Sequence, residues 1–200
     1  MSFNLNQTEI GQGNYRSLAK VISQVENSAD GAIDLLRHLK INYDIPVIGF
    51  TGPPGAGKSS LLNALLAKMA NKWRIAILAV DPTSPFTSGS ILGDRYRMNE
   101  YFLHQNVYIR SLATRGNLGG LSARTIEITD VLRSCAFDFI FIETVGVGQS
   151  EVEIAALADT TILVLNPGTG DDIQALKAGI MEIADVFVIN KADRDQADAL

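Results

Sequence analysis

One stretch of this 200-residue chain constrains its fold more than any other. Residues 47–60 read Val-Ile-Gly-Phe-Thr-Gly-Pro-Pro-Gly-Ala-Gly-Lys-Ser-Ser. The apolar run Val47–Phe50 predicts a strand, and residues 58–71 predict a helix whose Leu61, Leu62, Leu65 and Leu66 face a core. Between them, Gly52 to Ser59 matches G-x-x-x-x-G-K-[ST]. Gly52, Gly55 and Gly57 let the backbone turn tightly and aim N–H groups at phosphate oxygens, and the helix N-terminus adds its dipole. Lys58 is then expected at the β- and γ-phosphates, with the Ser59 hydroxyl on Mg²⁺. The whole run Gly52, Pro53, Pro54, Gly55, Ala56, Gly57, Lys58, Ser59 and Ser60 is expected to line the nucleotide. The competing reading is a glycine-rich turn with an exposed lysine.

The rest of the chain repeats this texture. Strands are predicted at Val47–Phe50, Arg74–Val80, Val107–Arg110, Phe137–Ile142, Thr160–Asn166 and Val186–Asn190. They are rich in Ile, Val and Phe without polar alternation, which suits strands covered on both faces. Helical patterns at 58–71, 119–134 and 172–183 lie between them. The alternation predicts an α/β domain, a mostly parallel sheet flanked by helices. Ligands in such sheets bind at the carboxyl ends of the strands.

Those ends carry acids and a second motif. Val186-Phe-Val-Ile-Asn190-Lys191-Ala192-Asp193 is a strand that runs into N-K-x-D. A carboxylate at Asp193 would accept hydrogen bonds from guanine N1–H and the 2-amino group. Adenine offers neither donor and would be rejected. Asn190 would meet the Hoogsteen edge, and the stem of Lys191 would cover the base. Alone, the tetrapeptide also reads as a turn. Asp81 ends the second strand, and Glu143 ends the fourth ahead of Thr144-Val145-Gly146-Val147-Gly148-Gln149. An enzyme of this type needs such an acid for Mg²⁺ or its waters. Gly146 would offer its amide to a γ-phosphate, and the glycines at 146 and 148 allow that loop to change conformation when the phosphate leaves. Asp94 either approaches the metal or caps a helix over Arg95–Leu103. Arg115 either faces a phosphate or a partner, or is solvated.

Composition narrows the setting. With 17 basic and 22 acidic residues the chain carries a net −5, which disfavours a broad nucleic-acid grip. One cysteine, Cys135, excludes an internal disulfide framework and reads as a small buried residue. His38 and His104 lack ligand-like spacing. No run of 18 apolar residues is present, so no membrane span is expected, and the N-terminus lacks signal-peptide features. A soluble, cytoplasmic protein is expected. Residues 8–40 look helical, with Leu18, Val21, Ile22 and Val25 on one face and Ile33, Leu35, Leu36 and Leu39 on another. Asn27, Ser28 and Asp30 lie between as break and cap. The expected organisation is a helical segment over 1–44 and a nucleotide-binding domain over 45–200.

Taken together, GPPGAGKSS (52–60), LAVDPTSPFTSGSILGDRYRM (78–98), TRGNLGGLS (114–122), FIETVGVGQSE (141–151), NPGTGDDIQALKAGIMEIAD (166–185) and NKAD (190–193) resemble the methylmalonyl-CoA mutase-associated GTPases. That family is also known as ArgK-type proteins or lysine/arginine/ornithine transport ATPases. The resemblance implies a GTPase with Lys58 and Ser59 at phosphate and Mg²⁺, and with Asp81, Asp94 and Glu143 as the acidic metal environment. It implies guanine selection by Asn190, Lys191 and Asp193. It also implies a chaperone that protects and reloads an adenosylcobalamin-dependent mutase, gated by GTP and GDP. Family members continue past N-K-A-D with a further strand, a second base-contacting loop and a helical arm used for dimerisation. A C-terminal part and a homodimer are therefore expected of the full-length form. Asp81 and Gln149 are alternatives for orienting the attacking water. A transport-linked kinase, a nickel-inserting GTPase and a non-catalytic nucleotide-sensing scaffold are the other functions considered. The nickel reading wants Cys/His clusters, which one cysteine and two scattered histidines do not supply.

Overall fold

In the computed structural model, the described residues are 9, 11–81, 98–113, 123–144, 153–167, 178–194 and 197. They contain strands β1 (Val47–Thr51), β2 (Ile75–Asp81), β3 (Val107–Ala113), β4 (Phe139–Thr144), β5 (Thr160–Leu165) and β6 (Val186–Ile189). The strands form one sheet in the order β3-β2-β4-β1-β5-β6, and every pair is parallel. The sheet is flanked by α1 (Arg16–Glu26), α2 (Ala32–Arg37), α3 (Lys58–Met69), α4 (Ala123–Arg133) and α5 (Ala178–Glu182). This is the expected α/β architecture. Because β1 is central, the loop that leaves it opens between β4 and β5, at the carboxyl edge of the sheet.

Period-two alternation divides the strand residues between two cores. On one face Phe50, Ile75, Ile77 and Phe141 pack under Leu62 and Leu66 of α3. On the other, Val47, Ala76, Leu78, Ile140 and Ile142 pack under Leu18, Val21, Ile22 and Val25 of α1 and Ile128, Val131 and Leu132 of α4. The N-terminal helix thus shares its core with the sheet. Gly49 is needed in β1 because a Cβ there would come within 2.7 Å of the Ile154 side chain. Asp159 fastens this region: its Oδ2 accepts from the Val47 N–H at 2.7 Å and from Arg133 Nη2 at 2.6 Å.

Three details differ from the sequence reading. Ile33 is 64% exposed, because the six-residue α2 packs through Ala32, Leu35 and Leu36 instead. Gly31, in a left-handed conformation at φ 86°, occupies the N-cap of α2, so Asp30 is not the cap. On β6, Val186, Phe187 and Ile189 are exposed rather than covered, since among the described residues β6 is an edge strand paired only with β5. Cys135 is buried, as expected, and burial pushes its thiol up to about 12. His38 Nδ1 lies 2.6 Å from the Asp34 carbonyl oxygen, and His104 Nδ1 accepts from the Asn106 N–H at 3.2 Å.

Candidate nucleotide site

The loop after β1 is shaped by contacts that only glycine permits. Gly52 sits at φ 134°, and a Cβ on it would collide with the Val164 carbonyl oxygen of β5. Gly57 sits at φ 99° as the N-cap of α3, and a Cβ there would collide with the side-chain amide of Asn190. The loop is therefore wedged between the ends of β5 and β6 by backbone that has shed its side chains.

Lys58 and Ser59 open α3 and are both buried, at 6% and 4% exposed. A lysine in such a position needs acceptors. Its Nζ donates to the Gly52 carbonyl at 2.7 Å and to the Pro53 carbonyl at 3.1 Å, so the cation is folded against its own loop. The expected exposed-lysine alternative does not describe this side chain. Ser59 Oγ donates to Glu143 Oε1 at 2.6 Å. Glu143 reaches it because it follows Phe139 and Phe141 in phase on β4, on the face covered by α3, and is in register with Phe50 and Ala79. It is 5% exposed.

Residues far away in sequence close the site. Asn190 Nδ2 donates to the Ala56 carbonyl at 2.8 Å, and Lys191 Nζ donates to the Gly55 carbonyl at 2.7 Å. The Asn190 N–H donates to the Leu165 carbonyl at 2.7 Å, which seats the segment beside β5. Lys191 adopts φ 56°, a left-handed conformation uncommon outside glycine. The Arg194 N–H donates to the Lys191 carbonyl at 3.0 Å and closes a turn that leaves Asp193 exposed. Sequence reading placed Asn190 and Lys191 at a base; their bonds to the loop carbonyls it did not foresee. Asn166, the last residue of the predicted strand, lies just past the end of β5 and is 8% exposed.

The backbone of Asp81 ends β2 in register with Ala113 of β3. Asp94, Arg115, Gly146 and Gln149 lie outside the described residues. Among the described residues there is no group of three or more His, Cys, Asp or Glu able to hold a metal, and no helix is long and apolar enough to cross a membrane.

A parallel sheet with a glycine-wedged loop after its central strand, a buried lysine and a serine–acid pair defines a P-loop nucleotide-binding domain. Comparison with known proteins agrees. The family described as Methylmalonyl Co-A mutase-associated GTPase MeaB matches residues 18–200, and the chain belongs to that family. A Pyrococcus abyssi protein with a provisional GTPase name is 50% identical over 190 residues, covering 94% of this chain and 59% of that protein. The GTPase ArgK of Escherichia coli K12 is 46% identical over 149 residues, covering 74% and 45%. A crystal structure of a LAO/AO transport system kinase superposes with a TM-score of 0.67 at 28% identity, covering 98% of this chain and 60% of that one. The chain thus spans less than two thirds of the relatives it matches.

Proposed function

We propose that this protein binds and hydrolyses GTP and acts as a nucleotide-gated chaperone of an adenosylcobalamin-dependent methylmalonyl-CoA mutase. The observation that carries the nucleotide reading is the meeting of two motifs 134 residues apart: Asn190 and Lys191 donate to the carbonyls of Ala56 and Gly55. A phosphate loop and a base-selecting segment are useful together only if one ligand spans both. Asp193, two residues beyond Lys191, supplies the two acceptors that guanine satisfies and adenine does not. The mutase partner rests on family membership. A cytoplasmic setting and dimerisation of the full-length form are part of the same proposal.

The chemistry follows from the described side chains. Phosphoryl transfer needs positioning and charge neutralisation rather than a covalent intermediate. Lys58 leaves the carbonyls of Gly52 and Pro53 for the β- and γ-phosphate oxygens, exchanging neutral acceptors for charged ones. The paired Ser59 hydroxyl and Glu143 carboxylate are hard oxygen donors 2.6 Å apart and buried, the donor type that Mg²⁺ takes. Ser59 would hold the ion directly, and Glu143, with Asp81 and Asp94, would supply the acidic surroundings. When bound, Mg²⁺ neutralises charge on the transferring phosphate. Backbone N–H groups of 52–60, Pro53 and Pro54 excepted, and of Gly146 orient the phosphates, and Asp81 or Gln149 orients the water. Phosphate release from GTP, measured with and without the mutase, tests the proposal. Release that rises with the mutase is expected; no release in either condition would overturn it.

A further inference from the structure

Three aspartates lead into strands of the sheet in the same way. Asp138 stands one residue ahead of β4, Asp159 one ahead of β5 and Asp185 one ahead of β6. Each grips a single residue of the neighbouring strand through two bonds. The Asp138 N–H donates to the Arg74 carbonyl at 2.8 Å, and Asp138 Oδ2 accepts from the Arg74 N–H at 2.7 Å. Asp159 makes the same two bonds with Val47, at 2.8 Å and 2.7 Å. Asp185 makes them with Thr161, at 2.9 Å and 2.7 Å. Each clamp matches one residue to one residue, and so marks the register of a parallel pair: β4 on β2, β5 on β1 and β6 on β5.

Burial fixes the register of two of these strands without the clamp. β4 lies between β2 and β1 and is buried from Ile140 to Thr144. β5 lies between β1 and β6 and buries Leu163, Val164 and Leu165. β6 differs. It has four residues, and Val186, Phe187 and Ile189 are exposed. Among the described residues no side chain of β6 belongs to a buried core. Bonds of a parallel ladder are evenly spaced, so a slipped strand recovers the same bonds. A strand of this kind needs its register set at its ends.

The register of β6 decides where the N-K-x-D segment falls. Asn190 and Lys191 follow the strand directly and reach the Ala56 and Gly55 carbonyls at 2.8 Å and 2.7 Å. A slip of two residues, the smallest that keeps each side chain on its face, would carry them about 6–7 Å along the strand, beyond hydrogen-bond reach, and Asp193 with them. We infer that Asp185 is a positioning residue for base selection: its two bonds to Thr161 hold β6 in the register that sets Asn190 and Lys191 on the phosphate loop. Asp185 lies at the amino edge of the sheet, a strand length from that loop. The inference rests on the guanine reading of residues 190–193 above.

The test compares wild type with Asp185→Ala, Asp185→Asn and Asp138→Ala in the full chain. Asp185 is exposed and belongs to no buried core, so its removal leaves the fold standing. Asp138→Ala removes the same kind of clamp from a strand whose register burial holds. Displacement of labelled GDP by GTP and by ATP reads the base preference, because ATP shares the triphosphate and lacks the guanine donors. In Asp185→Ala the GTP/ATP preference should fall about three- to tenfold, the effect of one or two lost hydrogen bonds. Asp185→Asn keeps an acceptor oxygen for the Thr161 N–H and should retain most of the preference. Asp138→Ala should melt at a lower temperature and keep the wild-type preference. Amide hydrogen exchange is the second readout: peptides covering 186–191 should exchange faster in Asp185→Ala and not in Asp138→Ala. An unmoved preference in Asp185→Ala, or an equal loss in Asp138→Ala, would overturn the inference. Wild type that binds GTP and ATP alike would sink the guanine reading by itself. The exchange comparison then decides the role of Asp185 in holding β6, and unchanged exchange over 186–191 would refute it.

Discussion

Under the proposed function Asp193 would carry the base discrimination, and one substitution tests that role. In Asp193→Asn an acceptor becomes an amide donor that faces the guanine 2-amino group. Two opposed donors leave both unpaired, at about 1–3 kcal/mol, so GTP affinity should fall about tenfold. Xanthine has an oxygen at that place, so XTP affinity should rise. Competition of labelled GDP by GTP and XTP reads both, and an unmoved GTP/XTP preference would reduce residues 190–193 to a turn. Cys135 tests the core on its other side. Its thiol is pushed up to about 12 from 9.0 by burial. Between those values the unfolded chain has ionised the thiol and the folded chain has not, so ionisation favours unfolding there. Stability should be insensitive to this group below about pH 9 and fall above it. Cys135→Ala should flatten that part of a urea-midpoint profile, and an unchanged profile would assign the alkaline loss to other groups.

At the scale of elements, β1 must be thin as well as apolar. A Cβ on Gly49 would stand 2.7 Å and 2.8 Å from Ile154 carbons and 3.1 Å from the Ala158 Cβ. Gly49→Ala should therefore cost about 1–3 kcal/mol through overpacking. In thermal melts that is a loss of several degrees, at about 2–4 °C per kcal/mol. GDP affinity should remain near wild type, because the strain falls on the face opposite α3. A melting point unchanged by the substitution would contradict the packing.

The same scale shows what the sequence could tell. The six strands were legible because their Ile, Val and Phe runs lack polar interruption, and the phosphate loop because its glycines and lysine sit between a strand and a helix. The ends of α2 were not legible. Asp30 looks like a cap, yet the N-cap position falls on Gly31, which takes a left-handed backbone there. Ile33 follows helical spacing but α2 is too short to bury it. Within the site, Lys58 and Ser59 were legible from a local pattern. The bonds from Asn190 and Lys191 to Ala56 and Gly55 span some 130 residues and depend on strand order, which periodicity does not give. Nor does it give the Glu143–Ser59 pairing, which follows from β4 lying next to β1.

Across the whole molecule, one sheet edge gathers the phosphate loop from β1, an acid from β4 and the N-K-x-D segment from β6, while Glu26 at the end of α1 pairs with Arg110 of β3. The proposed function requires one ligand to span that edge, a guanine nucleotide that Lys58 would hold at its phosphates and Asp193 at its base. Displacement of labelled GDP from the wild-type chain by GTP and by ATP measures this most directly, with Lys58→Ala as the phosphate-site control. GTP should displace at least about a hundredfold more effectively than ATP, since a site built to accept guanine donors leaves its carboxylate unpaired against adenine. Lys58→Ala should bind labelled GDP at least about tenfold more weakly while keeping its fold. Equal displacement by GTP and ATP, or GDP affinity unaffected by Lys58→Ala, would contradict the account.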